Sequence, residues 1–196
     1  MPRRPRVLLG CTGSVAAVKV PELALHLGEF AELRIVKTVA SEHFLAHSAI
    51  YDEPNSTAFQ ELDPPVEQFG DMDEWAKWKQ IGEPVVHIML REWADVLLIA
   101  PLSANTLAKL ANGICDNLMT CVCRAWDFTT PKPMLVAPAM NTHMWSHPFS
   151  GQHLRTLEAL GAVVIPPVVK VLACGDKGVG AMASVDTICA KVREVV

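Results

Sequence analysis

A chain of 196 residues with 51% hydrophobic content is long enough to bury one sizeable core, and its length fits a single domain, 1–196. The formal net charge of -4 and a pI near 6.0, with basic residues clustered only at Arg3, Arg4 and Arg6 in a solvated tail, exclude an electrostatic footprint for nucleic acid. No apolar run approaches the roughly 18 residues that span a bilayer and no signal-peptide pattern opens the chain, so a soluble cytoplasmic protein without a membrane partner is expected.

The first strand is expected at Val7-Leu8-Leu9, and it runs into Gly10-Cys11-Thr12-Gly13-Ser14-Val15. Small residues after a strand and before a helix offer backbone N–H groups and the Ser14 hydroxyl to a phosphate, although neither the dinucleotide glycine pattern nor the P-loop is present. The helix is expected from about Val15 to His26, with Gly28 as its stop, and the second strand at Leu33-Arg34-Ile35-Val36.

Residues 49–76 then carry eight acidic side chains and no Lys or Arg, with Pro54, Pro64 and Pro65 interrupting any helix. Such a run is expected to be a solvated, partly mobile excursion. His87 follows inside Pro84-Val85-Val86-His87-Ile88, where a histidine is more often a satisfied core group than a base.

The third strand, Val96–Ala100, leads into Pro101-Leu102-Ser103-Ala104-Asn105-Thr106, whose hydroxyl and amide groups suit either a plain helix cap or a polar ring edge. That helix should stop at Asn112-Gly113. A fourth strand, Met134–Ala137, ends in PAMNTHMW (138–145), where Asn141 could clamp a carboxylate while Met140, Met144 and Trp145 form an apolar wall.

A helix over Gln152–Leu160 and a fifth strand, Ala162–Ile165, precede residues 173–183, a glycine-rich stretch that reads either as a flexible surface loop with an incidental cysteine or as a mobile flap carrying the thiol of Cys174. Ser184 can cap a last helix through Val192, with Ile188, Val192 and Val195 on its apolar side. Short apolar runs alternating with helices indicate an α/β fold, a doubly wound parallel sheet. The six cysteines form no CxxC pair, and the pairs His43/His47 and His143/His147 have no third ligand, so neither a disulfide framework nor a metal site is expected.

Taken together, these loops resemble the flavin-containing cysteine decarboxylases, in the eukaryotic branch acting on 4'-phosphopantothenoylcysteine. The resemblance is carried by GCTGSVAAVK (10–19), DEWAKWKQIGEPVVHI (73–88), REWADVLLIAPLSANTLAKLANGICDNLMTCVCRAWD (91–127), PAMNTHMW and LACGDKGVGAMA (172–183). It implies a homotrimer of Rossmann-like subunits with FMN near the subunit interfaces. Gly13, Ser14 and Val15 would hold the flavin phosphate, Thr38 and Phe44 would reach the flavin from the second strand, and Ser103, Ala104, Asn105 and Thr106, with Ala139, would form the other flavin loop.

The same resemblance makes His87 the active-site histidine, Asn141 the clamp on the substrate carboxylate and Cys174 the acid of the reductive half-reaction. Ala173 and Met182 would be substrate contacts. Val171 stands where close relatives carry Lys or Arg, with Lys170 as the available substitute. The product would be 4'-phosphopantetheine, a coenzyme A precursor. Rival readings are an inhibitory regulatory subunit of a protein phosphatase and an oxidative decarboxylase of peptidyl cysteines; the coexistence of His87, Asn141 and Cys174 favours the first reading over both.

Overall fold

The computed structural model describes residues 3–171 and 177–196. In β1 (Arg6–Cys11) side chains alternate between two faces: Val7, Leu9 and Cys11 pack with Leu23, Leu27, Ile188 and Val192, whereas Leu8 packs with Leu90, Leu118 and Val122. Both faces are covered, which is why the run is apolar throughout. Each fully buried leucine contributes about 1.5–3 kcal/mol, so the two layers clamp the sheet from both sides.

The remaining strands are β2 (Glu32–Lys37), β3 (Glu67–Phe69), β4 (Val96–Leu102), β5 (Met134–Pro138), β6 (Val163–Val164), β7 (Val168–Val171) and β8 (Lys177–Ala181). Six pair in parallel in the order β3-β2-β1-β4-β5-β6, and β7 and β8 form a separate antiparallel pair. The five expected strands and the doubly wound class are thus present, in a Rossmann-like sheet flanked by helices. Every residue of β4 is buried, as a strand between β1 and β5 requires.

β3 lies in the stretch expected to be a solvated excursion. It is a short edge strand with Glu67 and Gln68 exposed and Phe69 buried, and Glu67 accepts from Arg34 Nε of the neighbouring strand at 2.6 Å. Much of the rest of that stretch is also folded, into helices Ser48–Tyr51, Glu53–Gln60 and Asp71–Lys77. Its carboxylates have local tasks: Asp52 caps through the Asn55 N–H at 3.2 Å, Asp73 accepts the Gly70 N–H at 2.7 Å, and Asp71 accepts the Leu118 N–H at 2.9 Å. Pro54 does not interrupt a helix, because it sits in a first turn where its missing N–H has no intrahelical partner to lose.

Other boundaries moved for similar reasons. Residues 15–28 divide into a 3-10 turn, Val15–Lys19, and an α-helix, Val20–Gly28, since Pro21 can enter only a first turn. The helix expected from Gln152 begins four residues earlier, as Pro148–Ala159, capped by His147 Nδ1 accepting the Phe149 N–H at 3.2 Å. Helix Ala104–Ala111 ends at Asn112 as expected, with Gly113 at φ 71. The last helix, Val185–Arg193, buries Ile188 and Val192, but Val195 lies beyond its end and is exposed. Among the described residues no helix is long and apolar enough to cross a membrane.

Candidate functional site

Strand order reverses between β1 and β4, so the chain leaves these neighbours in opposite directions and opens a crevice at their carboxyl ends. Thr12, directly after β1, is fully buried there. Its hydroxyl donates to the Pro101 carbonyl at 2.7 Å and accepts from the Ser103 N–H at 2.8 Å. One side chain therefore ties the two loops together. Gly13 follows, and a Cβ there would lie 2.6 Å from the Ala40 Cβ, so the β1 loop can close against the segment after β2 only without a side chain.

Each loop ends in a serine cap. Ser14 Oγ accepts the Ala16 N–H at 3.4 Å at the start of the 3-10 turn, and Ser103 Oγ accepts the Thr106 N–H at 3.2 Å at the start of Ala104–Ala111. The caps satisfy one N–H apiece, and the first-turn N–H groups that have no intrahelical acceptor remain for an anion or a polar ring edge.

A cleft of about 750 Å³ opens at this point, within the size range of small-molecule sites. Gly13, Ser14, Val15, Phe44, Ser103, Ala104, Asn105, Ala139, Asn141 and Met182 all line it, so ten expected site residues from five separate segments converge. Met140 and Met144 supply the apolar wall, but Trp145 is not part of the lining; it packs against the core on the other face of the sheet, which Met140 also touches. Lys170, expected as a substitute for the cation missing at Val171, also lines the cleft, as do Lys19 and Tyr51, which were not singled out for it. Among the described lining residues the charged groups are these two lysines, so the cleft favours an anionic ligand. Lys170 thus supplies a cation beside the position where Val171 does not.

Asn141 caps the short helix Thr142–Ser146, with its Oδ1 accepting the Met144 N–H at 2.8 Å. The group left for a ligand is the Nδ2 donor pair, which suits a carboxylate. Thr38 and Thr106 do not line the cleft. Thr38 is buried and donates to the Cys11 carbonyl at 3.4 Å, and Thr106 Oγ1 accepts from Ser103 Oγ at 3.2 Å; both hydroxyls serve the loops instead. Cys11, the last residue of β1, is held as a neutral thiol, since burial pushes it up to about 12 against smaller lowering from Ser41 and Lys37.

His87 is outside the cleft lining as well. Its helix, Val86–Trp93, buries Val86 and Leu90 in the core layer opposite the one that holds Ala139 and Met182 of the cleft wall. The ring is not a core group: its side chain is 25% exposed and Nδ1 pairs with Glu74 Oε1 at 2.5 Å, while the His87 N–H donates to Glu74 Oε2 at 3.0 Å. A carboxylate on Nδ1 fixes the ring orientation and leaves Nε2 for a substrate. Glu74 was missed as a functional residue; its presence inside the matched stretch 73–88 was the available signal.

Cys174 and Ala173 lie outside the described residues. The stretch read as a loop is a strand over Lys177–Ala181, where the Met140 N–H donates to the Gly180 carbonyl at 2.9 Å and so ties β8 to the segment bearing Asn141. Gly180 has φ +139, and a Cβ would collide with the Met140 carbonyl oxygen.

Comparison with known proteins extends this geometry. The Flavoprotein family model matches residues 1–196. A phosphopantothenoylcysteine decarboxylase of Arabidopsis thaliana is 53% identical over 192 residues, covering 98% of this chain and 85% of that protein. Two solved structures are similar at 53% identity: a cysteine-to-serine variant of a PPC decarboxylase complexed with pantothenoylaminoethenethiol (TM-score 0.88, 98% of each chain) and the FMN-binding protein AtHal3 (TM-score 0.84, 98% of this chain and 96% of that one).

Proposed function

Since this chain belongs to the Flavoprotein family, we propose that it is a flavin-dependent carboxy-lyase that converts 4'-phosphopantothenoylcysteine to 4'-phosphopantetheine in coenzyme A biosynthesis, as a soluble cytoplasmic enzyme. The observation that carries the reading is the convergence of the Gly13–Val15 loop, the Ser103–Asn105 loop, Asn141 and Met182 on one cleft. FMN fits it: a glycine-tight first loop, first-turn donors at two capped turns and Lys19 suit a phosphate, and Phe44, Met140 and Met144 suit a ring system. The names of the relatives favour the decarboxylase over a phosphatase-regulatory role.

When bound, FMN supplies a reversible two-electron sink. With the thiol end of the cysteine moiety oxidised to a thioaldehyde, electrons of the breaking C–C bond can flow into C=S as CO2 leaves. Asn141 orients the departing carboxylate through Nδ2 without neutralising it, since an ion pair would hold back its loss. His87, set by Glu74, handles the substrate proton through Nε2, and Cys174 donates the proton that the enethiolate needs before it is reduced.

His87 acts on the cleft of a neighbouring subunit in a homotrimer. Its place on the opposite layer supports this, as does Arg91 one turn further along, whose buried Nε has no partner among the described residues. The exposed Trp75 and Trp78 beside it suit a subunit contact.

The test is an anaerobic assay with 4'-phosphopantothenoylcysteine, read by mass spectrometry. Wild type is expected to give 4'-phosphopantetheine, and Cys174→Ser to stop two hydrogens short of it. Mixed trimers of His87→Asn with Asn141→Asp should regain turnover that neither has alone. Flavin binding without CO2 release overturns the reaction, and mixtures that stay inactive overturn the shared site.

A further inference from the structure

Away from the cleft, two thiols meet where the chain enters the helix Leu118–Arg124. Asn117 caps that helix, its side chain accepting the Thr120 N–H at 2.9 Å, so Cys115 lies two residues before the cap and Cys121 at the fourth helical position. Chain entering a capped helix folds back over this fourth position, the geometry by which an apolar residue before the cap packs on it. Asp116 holds the place directly before the cap, and Cys115 next to it brings its carbonyl oxygen within 3.4 Å of Cys121 Sγ, which donates to it. Burial first, then Cys115, pushes the Cys121 thiol above its ordinary range.

Access separates this pair from the rest. Cys115 is exposed and Cys121 half-buried, whereas Cys11, Cys123 and Cys189, the other described cysteines, are buried. The neighbourhood is not remote from the chemistry either. The Leu118 N–H donates to Asp71, which opens the helix whose Glu74 holds His87.

We propose that Cys115 and Cys121 are a dithiol modification site that closes to a reversible disulfide with a hydroperoxide as oxidant. The Cys115 thiolate attacks the peroxide oxygen, the O–O bond breaks, an alcohol or water leaves with a proton, and Cys115 becomes a sulfenic acid. The Cys121 thiol then attacks that sulfur: the S–O bond breaks, water leaves with the thiol proton and the S–S bond forms. Two thiols lose two electrons and the peroxide gains them. Residues 116–120 are already folded into the cap turn, so closing the ring costs little further chain entropy.

The experiment exposes FMN-loaded protein to hydrogen peroxide, unfolds it in N-ethylmaleimide and maps the tryptic peptide 110–124, which holds Cys115, Cys121 and Cys123. The expected peptide is two hydrogens lighter and carries one maleimide, assigned to Cys123 by fragmentation, while dithiothreitol before labelling restores all three maleimides. Cys115→Ser should abolish the loss, whereas Cys123→Ala should leave it in place. Three maleimides after peroxide, or oxygen added to Cys115 with Cys121 still free, overturns the proposal.

Discussion

Replacing Thr12 by valine removes one hydroxyl and adds a methyl of similar size in a fully buried position. The Ser103 N–H loses its acceptor, which costs about 1–3 kcal/mol for an orphaned buried donor, and the Pro101 carbonyl loses a bond worth about 1 kcal/mol. The sum is about 2–4 kcal/mol. In a chain of 196 residues each kcal/mol moves Tm by about 2–4 °C, so Thr12→Val should melt roughly 4–16 °C lower. Thr12→Ser keeps both bonds and loses one buried methyl, about 1 kcal/mol, hence about 2–4 °C. The assay is thermal unfolding at fixed protomer concentration, with and without saturating FMN, because ligand and subunit binding both shift Tm. FMN should protect the valine variant less than the serine variant, since the loops it is proposed to bridge are no longer tied. If Thr12→Val melts at or above Thr12→Ser, the two hydrogen bonds do not join the loops and the reasoning fails.

Three further outcomes are expected. Asn141→Asp keeps the acceptor for the Met144 N–H but turns a donor into an anion facing the substrate carboxylate, so stability should hold while kcat/KM falls by at least about tenfold; Asn141→Ala should lose the cap too, at about 1 kcal/mol, and equal activity in wild type and Asn141→Asp would remove the clamp. Gly180→Ala forces a side chain into a left-handed backbone against the Met140 carbonyl, costing about 1–3 kcal/mol, and should lower both Tm and turnover; unchanged values would show that β8 does not lean on that segment. At Asp95 burial acts to raise the carboxyl, but hydrogen bonds from Arg3 and the Arg6 N–H and the charges of Arg3 and Lys132 outweigh it, so the net shift is downward. A depressed folded value contributes stability above the unfolded carboxylate range and loses it as pH falls through the folded value. The advantage of wild type over Asp95→Asn in urea unfolding, about 0.5–1 kcal/mol at neutral pH for so exposed a pair, should therefore vanish in acid, and a gap independent of pH would contradict the assignment.

The strands were legible where burial on both faces makes them continuously apolar, as at Val96–Ala100 and Met134–Ala137. β3 was not, because an edge strand of three residues with two exposed polar side chains has no pattern of its own and exists through its pairing with β2. The acidic stretch misled for a related reason: charge density reads as solvation, yet Asp52, Asp71, Asp73 and Glu74 are spent on caps and on His87. Pro21 and Pro54 show that a proline marks a first turn as readily as a break.

Local chemistry along the chain determined the class of fold and singled out the loops that could take an anion and Asn141 as a candidate carboxylate clamp, because hydroxyls, amides and glycines at strand ends declare themselves within a few residues. What only tertiary structure decided is which of these share a space. Thr12 reaches Pro101 and Ser103 because β1 and β4 are neighbours in the sheet, far apart though they are in the chain. Thr38 and Thr106 turn inward to hold loops, and His87 lies outside the lining of its own cleft, since side-chain placement follows from the layer a helix or strand packs into, and no local pattern specifies that layer.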